Sequence, residues 1–197
     1  MKKKIENEMD IVFLLDRSGS MGGMESDTIG GYNSYLNQQK DKNALVTTVL
    51  FNDQYELLTN RAKIQDVSDL TSSEYYVRGC TALLDAIGKT IKLMDKAKSK
   101  KCIFVITTDG YENASKEYNK AQIKELIEGH KDWEFMYIGA NIDSYSEASA
   151  LGIKASNTAN YKKTKDGTRS LFKAVASASE MMYECGKVSG TWKEELE

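Results

Sequence analysis

The sequence predicts an α/β fold, a doubly wound and mostly parallel six-stranded sheet with helices on both faces. Three observations support this prediction. Four short segments are continuously apolar, as is typical of strands buried on both faces. Segments with helical periodicity alternate with these strands, which favours a parallel sheet. Only Asn52 and Asp53 separate the second strand from the third, so those two strands form an antiparallel hairpin.

The first half of the chain supplies three strands and one long helix. MDIVFLL at 9–15 is the first strand, and residues 24–39 carry apolar side chains at helical spacing. ALVTTVLF at 44–51 is rich in β-branched residues and forms the second strand. QYELLTN at 54–60 is the third strand, and a helical turn is predicted near 66–73.

The second half of the chain continues the alternation of helices and strands. An amphipathic helix at 82–97 leads into the fourth strand, KCIFVITT, at 101–108. The elements that follow are a helix at 115–129, the strand WEFMYIGA at 133–140, a short helix at 144–151, a weak strand near 155–160 and a last helix from about 166 to 184.

The strand order follows from the connections between these elements. Right-handed crossovers leave 3-2-1-4-5-6 as the most economical order, with strand three antiparallel. The first and fourth strands are then neighbours, and ligands of open α/β sheets bind where the winding reverses between such strands. A single domain is expected over 9–185, between polar tails at 1–8 and 186–197, with Trp192 partly exposed in the second tail.

Composition excludes several classes of protein. The 197 residues include 27 Lys and Arg against 29 Asp and Glu, a net charge of −2, which argues against a dedicated nucleic-acid binder. The apolar run at 11–15 is too short for a signal peptide or a membrane span, so we expect a cytosolic protein without a membrane partner. Cys80, Cys102 and Cys185 have no CxxC spacing and are expected to be free thiols.

Five oxygen-bearing side chains are predicted to converge at the carboxyl edge of the sheet. Asp16 follows strand one, with Ser18 and Ser20 alternating after it; Asp109 follows strand four, and Thr81 opens the helix that leads there. Oxygen ligands of this kind select Mg²⁺, Mn²⁺ or Ca²⁺ over zinc or copper. Two carboxylates neutralise a divalent ion and leave it attractive to a further anionic oxygen.

Each of these segments also has an ordinary structural interpretation. Short polar residues after a strand commonly form turns and helix caps. Thr81 could be only an N-cap, with Asp85 in the first turn of the helix favouring the helix dipole. The joint placement of three such segments after strands one and four favours the metal site.

The residues Asp16-Arg17-Ser18-Gly19-Ser20, then Thr81, then Asp109 resemble the metal-ion-dependent adhesion site of von Willebrand factor A domains. The resemblance implies that the serines and the threonine contact the ion directly or through water, and that the aspartates often act through water. It also implies that an Asp or Glu of a protein partner completes the coordination. Cys80 stands where a second glycine is common, and we expect it to be a small buried residue.

A difference from the adhesion proteins of this family is the missing secretion signal and the lack of other domains, so we expect an intracellular, stand-alone type of this domain. In related domains the position of the last helix, here 166–184, can be coupled to the metal site, although the helix has a simpler role in covering the sheet. Arg17, Met21, Met24 and Tyr111 are expected to line the rim of the site and to contact the partner.

Two other functions stay open at this point. A Mg²⁺-dependent hydrolase or phosphotransferase could use Asp16 as nucleophile, but Ser18 stands where such enzymes carry a second aspartate as acid and base, and His130 is predicted at the opposite edge of the sheet. A binding module, not an enzyme, is therefore expected. The other possibility is an adaptor subunit of an ATPase complex.

IGKT at 87–90 is half of a phosphate-binding motif inside a helix, and we assign it no function.

Overall fold

A six-stranded sheet forms the centre of the molecule in the computed structural model, which describes residues 8–196. Its order is β3-β2-β1-β4-β5-β6, as predicted, and every neighbouring pair is parallel except the β2–β3 hairpin. The strands are β1 (Met9–Asp16), β2 (Ala44–Phe51), β3 (Tyr55–Lys63), β4 (Cys102–Thr108), β5 (Trp133–Gly139) and β6 (Thr158–Asn160).

Within residues 8–196, five α-helices cover the two faces of the sheet. They are α1 (Glu25–Gln38), α2 (Leu83–Lys96), α3 (Lys120–Gly129), α4 (Ser144–Ala150) and α5 (Lys165–Cys185). The helical turn predicted near 66–73 is wrong in position, because the structure has a single 3-10 turn at Ile64–Asp66 and no helix over 67–71. Across residues 8–196, no helix combines the length and the apolar character needed to cross a membrane.

Strand β1 lies in the middle of the sheet and carries apolar side chains on both faces. Phe13 and Leu15 face one layer, where α1 and α5 pack on the sheet. Val12 and Leu14 face the other layer, which α2, α3 and α4 cover. The alternation of side chains along an extended strand assigns successive residues to opposite layers. A continuous apolar run therefore becomes the central strand, and its polar end lies at the edge of the sheet.

Helix α3 begins five residues later than the sequence predicts. The amides of Lys116, Glu117 and Tyr118 donate to the carboxylate of Asp85 instead of continuing a helix. These bonds hold the segment before α3 against the start of α2 and lower the pKa of Asp85 against the opposing effect of burial. A long-range carboxylate thus replaces the helical hydrogen bonds that periodicity alone predicts.

The IGKT segment has a packing role inside α2. A Cβ atom placed at Gly88 would lie 2.7 Å from the ring of Tyr118. The glycine therefore allows this ring to approach the helix backbone. This contact explains the glycine without a phosphate ligand.

The carboxyl-terminal segment corrects the prediction of a polar tail at 186–197. Trp192 is 1% exposed, belongs to the core beneath α5 and donates from Nε1 to the carbonyl of Ser156 at 2.8 Å. Val188 and Leu196 pack against the same core. The expected partial exposure of Trp192 is therefore wrong, because the chain folds back after α5. The other predicted tail, 1–8, lies outside the described residues except for Glu8, which is exposed.

Candidate metal site

The candidate site lies where the winding of the sheet reverses. Asp16 is the last residue of β1, and Asp109 directly follows Thr108, the last residue of β4. Leu15 pairs with Thr107 across the two parallel strands, so both aspartates lie at the same edge. This is the carboxyl edge at which open α/β sheets bind ligands.

Hydrogen bonds join four of the five predicted ligands into one chain. The amide of Ser18 donates to Oδ1 of Asp16 at 2.7 Å. The hydroxyls of Ser18 and Ser20 are 3.0 Å apart, and the Ser20 hydroxyl donates to Oδ1 of Asp109 at 2.5 Å. The other oxygen of Asp16 accepts from the Thr108 hydroxyl at 2.6 Å. The predicted convergence of the two loops is therefore present.

Thr81 reaches the same place from the loop before α2. A Cβ atom placed at Gly110 would lie 3.2 Å from both the Thr81 Oγ1 atom and the Ser20 Oγ atom. The N-cap residue of α2 is Ala82, so the interpretation of Thr81 as only an N-cap is wrong. The side chain of Asn113 accepts from the Thr81 amide at 2.8 Å and fixes this loop beside the site.

Arg17 lies inside the protein and not on the rim. Its guanidinium forms an ion pair with Glu56 at 2.6 Å and donates to the carbonyl of Glu74 at 3.1 Å. Its carbonyl accepts from the amide of Arg78 at 2.9 Å, and Gly19 donates to Gly79 in the same pair of loops at 3.1 Å. These contacts hold the first site loop against the segment that leads to Thr81. The side chain of Arg17 points away from the ligands.

The composition of the rim differs from the prediction in two further residues, and the exposure of Cys80 differs as well. Met21 and Met24 are buried, because the 3-10 turn at Gly19–Met21 directs the chain back into the protein. Tyr111 is 52% exposed and remains the one predicted rim contact that is accessible. Cys80, which we expected to be buried, is exposed beside Thr81.

The electrostatics of the site reflect buried negative charge. Burial raises the pKa of Asp16 from 3.8 to about 6, against hydrogen bonds from Thr108 and Ser18 that lower it, and the charge of Asp109 adds to the increase. Burial, together with the charges of Asp109 and Asp16, also raises the pKa of Tyr161. A cation at this position would favour the ionised form of both carboxylates.

Lys163 is a member of the site that the sequence reasoning missed. Its ammonium lies 2.9 Å from Oδ2 of Asp109 and donates to the main-chain carbonyl of Ser20. It comes from the segment between β6 and α5, at the edge of the sheet remote from β1. One lysine in a chain with 27 cationic side chains gives no pattern by which sequence could have singled it out.

The side chains present fit a divalent cation of the hard class. Two carboxylates and three hydroxyls converge, and Oδ2 of Asp109 is buried without an aligned hydrogen bond from the described residues, while an ammonium group faces it. Between residues 8 and 196 there is no cluster of three or more His, Cys, Asp or Glu side chains suited to a metal. The hydroxyls of Ser18, Ser20 and Thr81 would therefore have to complete the ligand set, which suits Mg²⁺ or Mn²⁺ better than a soft metal.

The family of the chain follows from a comparison with models of known families. Residues 10–180 match the model of the von Willebrand factor type A domain. The chain belongs to this family. The match includes both aspartates, both serines and Thr81, so the site lies inside the von Willebrand factor type A domain. No curated protein matches the sequence.

Solved structures share this fold at low sequence identity. A von Willebrand factor type A protein from Catenulispora acidiphila has a TM-score of 0.66 at 14% identity, covering 87% of this chain and 42% of that one. Proximal thread matrix protein 1 from the mussel byssus, with a zinc-occupied metal-ion-dependent adhesion site, has a TM-score of 0.60 at 16% identity, covering 86% and 45%. Manganese-loaded TRAP protein from Plasmodium vivax has a TM-score of 0.60 at 17% identity, covering 83% and 72%.

This chain spans less than half the length of the first two of these proteins. At such identities the likeness establishes the shared α/β architecture. The metals belong to the proteins in which they are recorded.

Proposed function

We propose that this von Willebrand factor type A domain is a divalent-metal-dependent protein-binding module. The observation that carries the proposal is the convergence of Asp16, Ser18, Ser20, Thr81 and Asp109 at the carboxyl edge of β1 and β4. The metal-loaded mussel and Plasmodium proteins support it, because they share the fold. Mg²⁺ is the proposed ion, with Mn²⁺ or Ca²⁺ as substitutes.

The charges of the site favour an acidic ligand from the partner. Asp16 and Asp109 are buried and supply two negative charges, whereas Ser20 is exposed and supplies none. A divalent ion would supply an electrophilic centre for a further anionic oxygen. Ser20, the exposed member of the predicted ligand set, carries an uncharged hydroxyl, so a carboxylate of the partner can approach on that side without meeting a buried carboxylate directly.

We also propose that the domain binds its partner without catalysing a reaction. His130, a common general base, lies at the opposite edge of the sheet, where its ring contacts Asp95 at 2.6 Å. The sequence places Ser18 where a phosphatase of the aspartyl type needs a second carboxylate. Hydrolysis of a generic phosphate monoester that depends on both Mg²⁺ and Asp16 would contradict this part of the proposal.

The proposed compartment is the cytosol. Three free cysteines support it, since two of them, Cys80 and Cys185, are exposed.

Substitution of Gly110 by alanine should weaken metal binding without unfolding the domain. The added methyl group would lie 3.2 Å from the oxygens of Ser20 and Thr81, so both hydroxyls must shift. We expect about a tenfold loss of Mn²⁺ affinity by calorimetry, which corresponds to roughly 1.4 kcal/mol. The control is Gly30→Ala on the exposed side of α1, where a Cβ meets no atom within 4 Å. Gly30→Ala should leave the Mn²⁺ affinity unchanged and add about 0.5–1 kcal/mol to the free energy of unfolding. Equal Mn²⁺ affinities of the two variants would contradict the placement of the ion.

The binding proposal is tested with the natural partner, captured from the native cell in Mg²⁺ and released in EDTA. Each exposed Asp and Glu of that partner is then changed to the matching amide. We expect one such change to weaken binding more than tenfold in Mg²⁺, since an amide oxygen carries no charge for the ion. Binding that resists EDTA, or a scan without any such residue, would contradict direct coordination.

A further inference from the structure

The position of Lys163 has a consequence for the metal affinity of the site. Its ammonium contacts Oδ2 of Asp109 at 2.9 Å and the main-chain carbonyl of Ser20, two residues of the predicted ligand set. The Asp109 side chain is 1% exposed and that of Lys163 is 22% exposed. The chain therefore places a cation of its own beside the buried negative charge of the site.

We infer that Lys163 is a tethered cation that competes with the divalent metal for Asp109. This inference rests on the proposed function, because it concerns the affinity of that same site. Ser20 already occupies Oδ1 of Asp109, so Oδ2 is the oxygen for which the ammonium and the ion compete. An ammonium and a divalent ion on one buried carboxylate repel each other, and this repulsion is stronger there than in bulk water because the effective dielectric constant is lower. The lysine side chain must swing away when the ion binds.

The backbone around Lys163 is held in place, so the movement is one of the side chain. The amide of Tyr161 donates to the carbonyl of Gly139 at 2.9 Å, and Thr164 donates to Lys162 at 2.7 Å. The Thr164 hydroxyl then accepts from the amide of Gly167 at 3.1 Å and caps α5. The segment is thus anchored to β5 on one side and to α5 on the other. A long, flexible lysine side chain can leave the site without a shift of either element.

The competition also explains how two buried carboxylates are tolerated without a metal. Lys163 reduces the formal charge of Asp16 and Asp109 together from −2 to −1. The neighbouring Lys162 is exposed and forms no ion pair among those found within residues 8–196, so it offers a matched control in the same segment.

Calorimetric titration of the full chain with Mn²⁺ tests the inference. Lys163→Met removes the charge but keeps an unbranched side chain, and we expect it to bind Mn²⁺ at least tenfold more tightly than the parent. Lys162→Met should stay within twofold of the parent, and Lys163→Arg, which keeps the charge, should not gain affinity. Equal or weaker binding by Lys163→Met overturns the inference. Weaker binding would mean instead that the lysine helps to hold the bound ion.

Acylation of lysines, followed by mass spectrometry, provides a second measurement on the unmodified protein. Saturating Mn²⁺ should raise the labelling rate of Lys163 severalfold and leave that of Lys162 unchanged. An unchanged rate at Lys163 in a protein that binds Mn²⁺ overturns the inference and leaves the proposed function intact. If neither the parent nor Lys163→Met binds any divalent ion, both fail. Binding by Lys163→Met alone would support competition in its strongest form.

Discussion

Asp16→Asn should abolish metal binding and at the same time stabilise the metal-free protein. The amide keeps the shape of the carboxylate, so it can still accept from the Ser18 amide, and the Thr108 hydroxyl can turn to the carbonyl of Gly110, which lies 3.1 Å away. The substitution removes a charge that the interior disfavours. Its effect on metal binding is large, because one of two neutralising carboxylates is lost.

The pH dependence of this stabilisation follows from the raised pKa of Asp16. A carboxyl group with a pKa near 6 in the folded protein and 3.8 when unfolded binds protons more tightly in the folded state. Its contribution to stability is therefore most favourable below pH 3.8 and is lost as the pH rises through 6. At neutral pH the unfavourable contribution is on the order of 1–3 kcal/mol.

Denaturant unfolding in EDTA at several pH values measures this effect. The stability of Asp16→Asn relative to the parent should increase between pH 4 and pH 6 and then level off. Mn²⁺ at a hundred times its dissociation constant should add about 2.7 kcal/mol to the parent and nothing to the variant. A variant that binds Mn²⁺ as tightly as the parent would contradict the assignment of Asp16.

Asp10→Asn is the matched control for this experiment. Asp10 is also buried on β1, but at the opposite end, where it contacts the Arg61 Nε atom at 2.7 Å and the Ser99 hydroxyl at 2.6 Å. Its charge is therefore paired, and we expect the amide to destabilise the protein by roughly 1–3 kcal/mol. Metal binding should be unaffected. The two substitutions thus change stability in opposite directions.

Trp192→Ala should cause a larger loss of stability than Asp10→Asn. The indole is 1% exposed within the core beneath α5, and its Nε1 atom donates to the carbonyl of Ser156 at 2.8 Å. Truncation of a buried tryptophan to alanine costs about 3–5 kcal/mol, because it removes apolar burial and leaves a cavity. In a chain of this length, that corresponds to a decrease of roughly 10 °C in Tm.

Two comparisons separate the packing of this residue from its hydrogen bond. Trp192→Phe keeps most of the apolar contact and loses the donor, so it should cost about 1–2 kcal/mol. Glu194→Ala, at an exposed neighbouring position, should stay within about 0.5 kcal/mol of the parent. If Trp192→Ala unfolded at the same temperature as Glu194→Ala, the segment after α5 would not be part of the core.

The sequence by itself determined the architecture and the five candidate ligands. Continuous apolar runs identified the buried strands, since both faces of a central parallel strand need apolar side chains. Right-handed crossovers and the two-residue link at Asn52 and Asp53 then restricted the order of the strands. Because Asp16 and Asp109 follow strands that this order makes neighbours, their convergence could be predicted from topology without any side-chain geometry.

Only the tertiary structure decided which side chains lie beside those ligands. Arg17 is adjacent to Asp16 in sequence, yet Glu56 and the Glu74 carbonyl draw its side chain into the interior. Lys163 lies far from both aspartates in sequence, yet its ammonium reaches Asp109. A periodic pattern indicates the face of a strand or helix on which a residue lies. It does not indicate contacts with distant loops, and such contacts determine the burial of Arg17 and the position of Lys163.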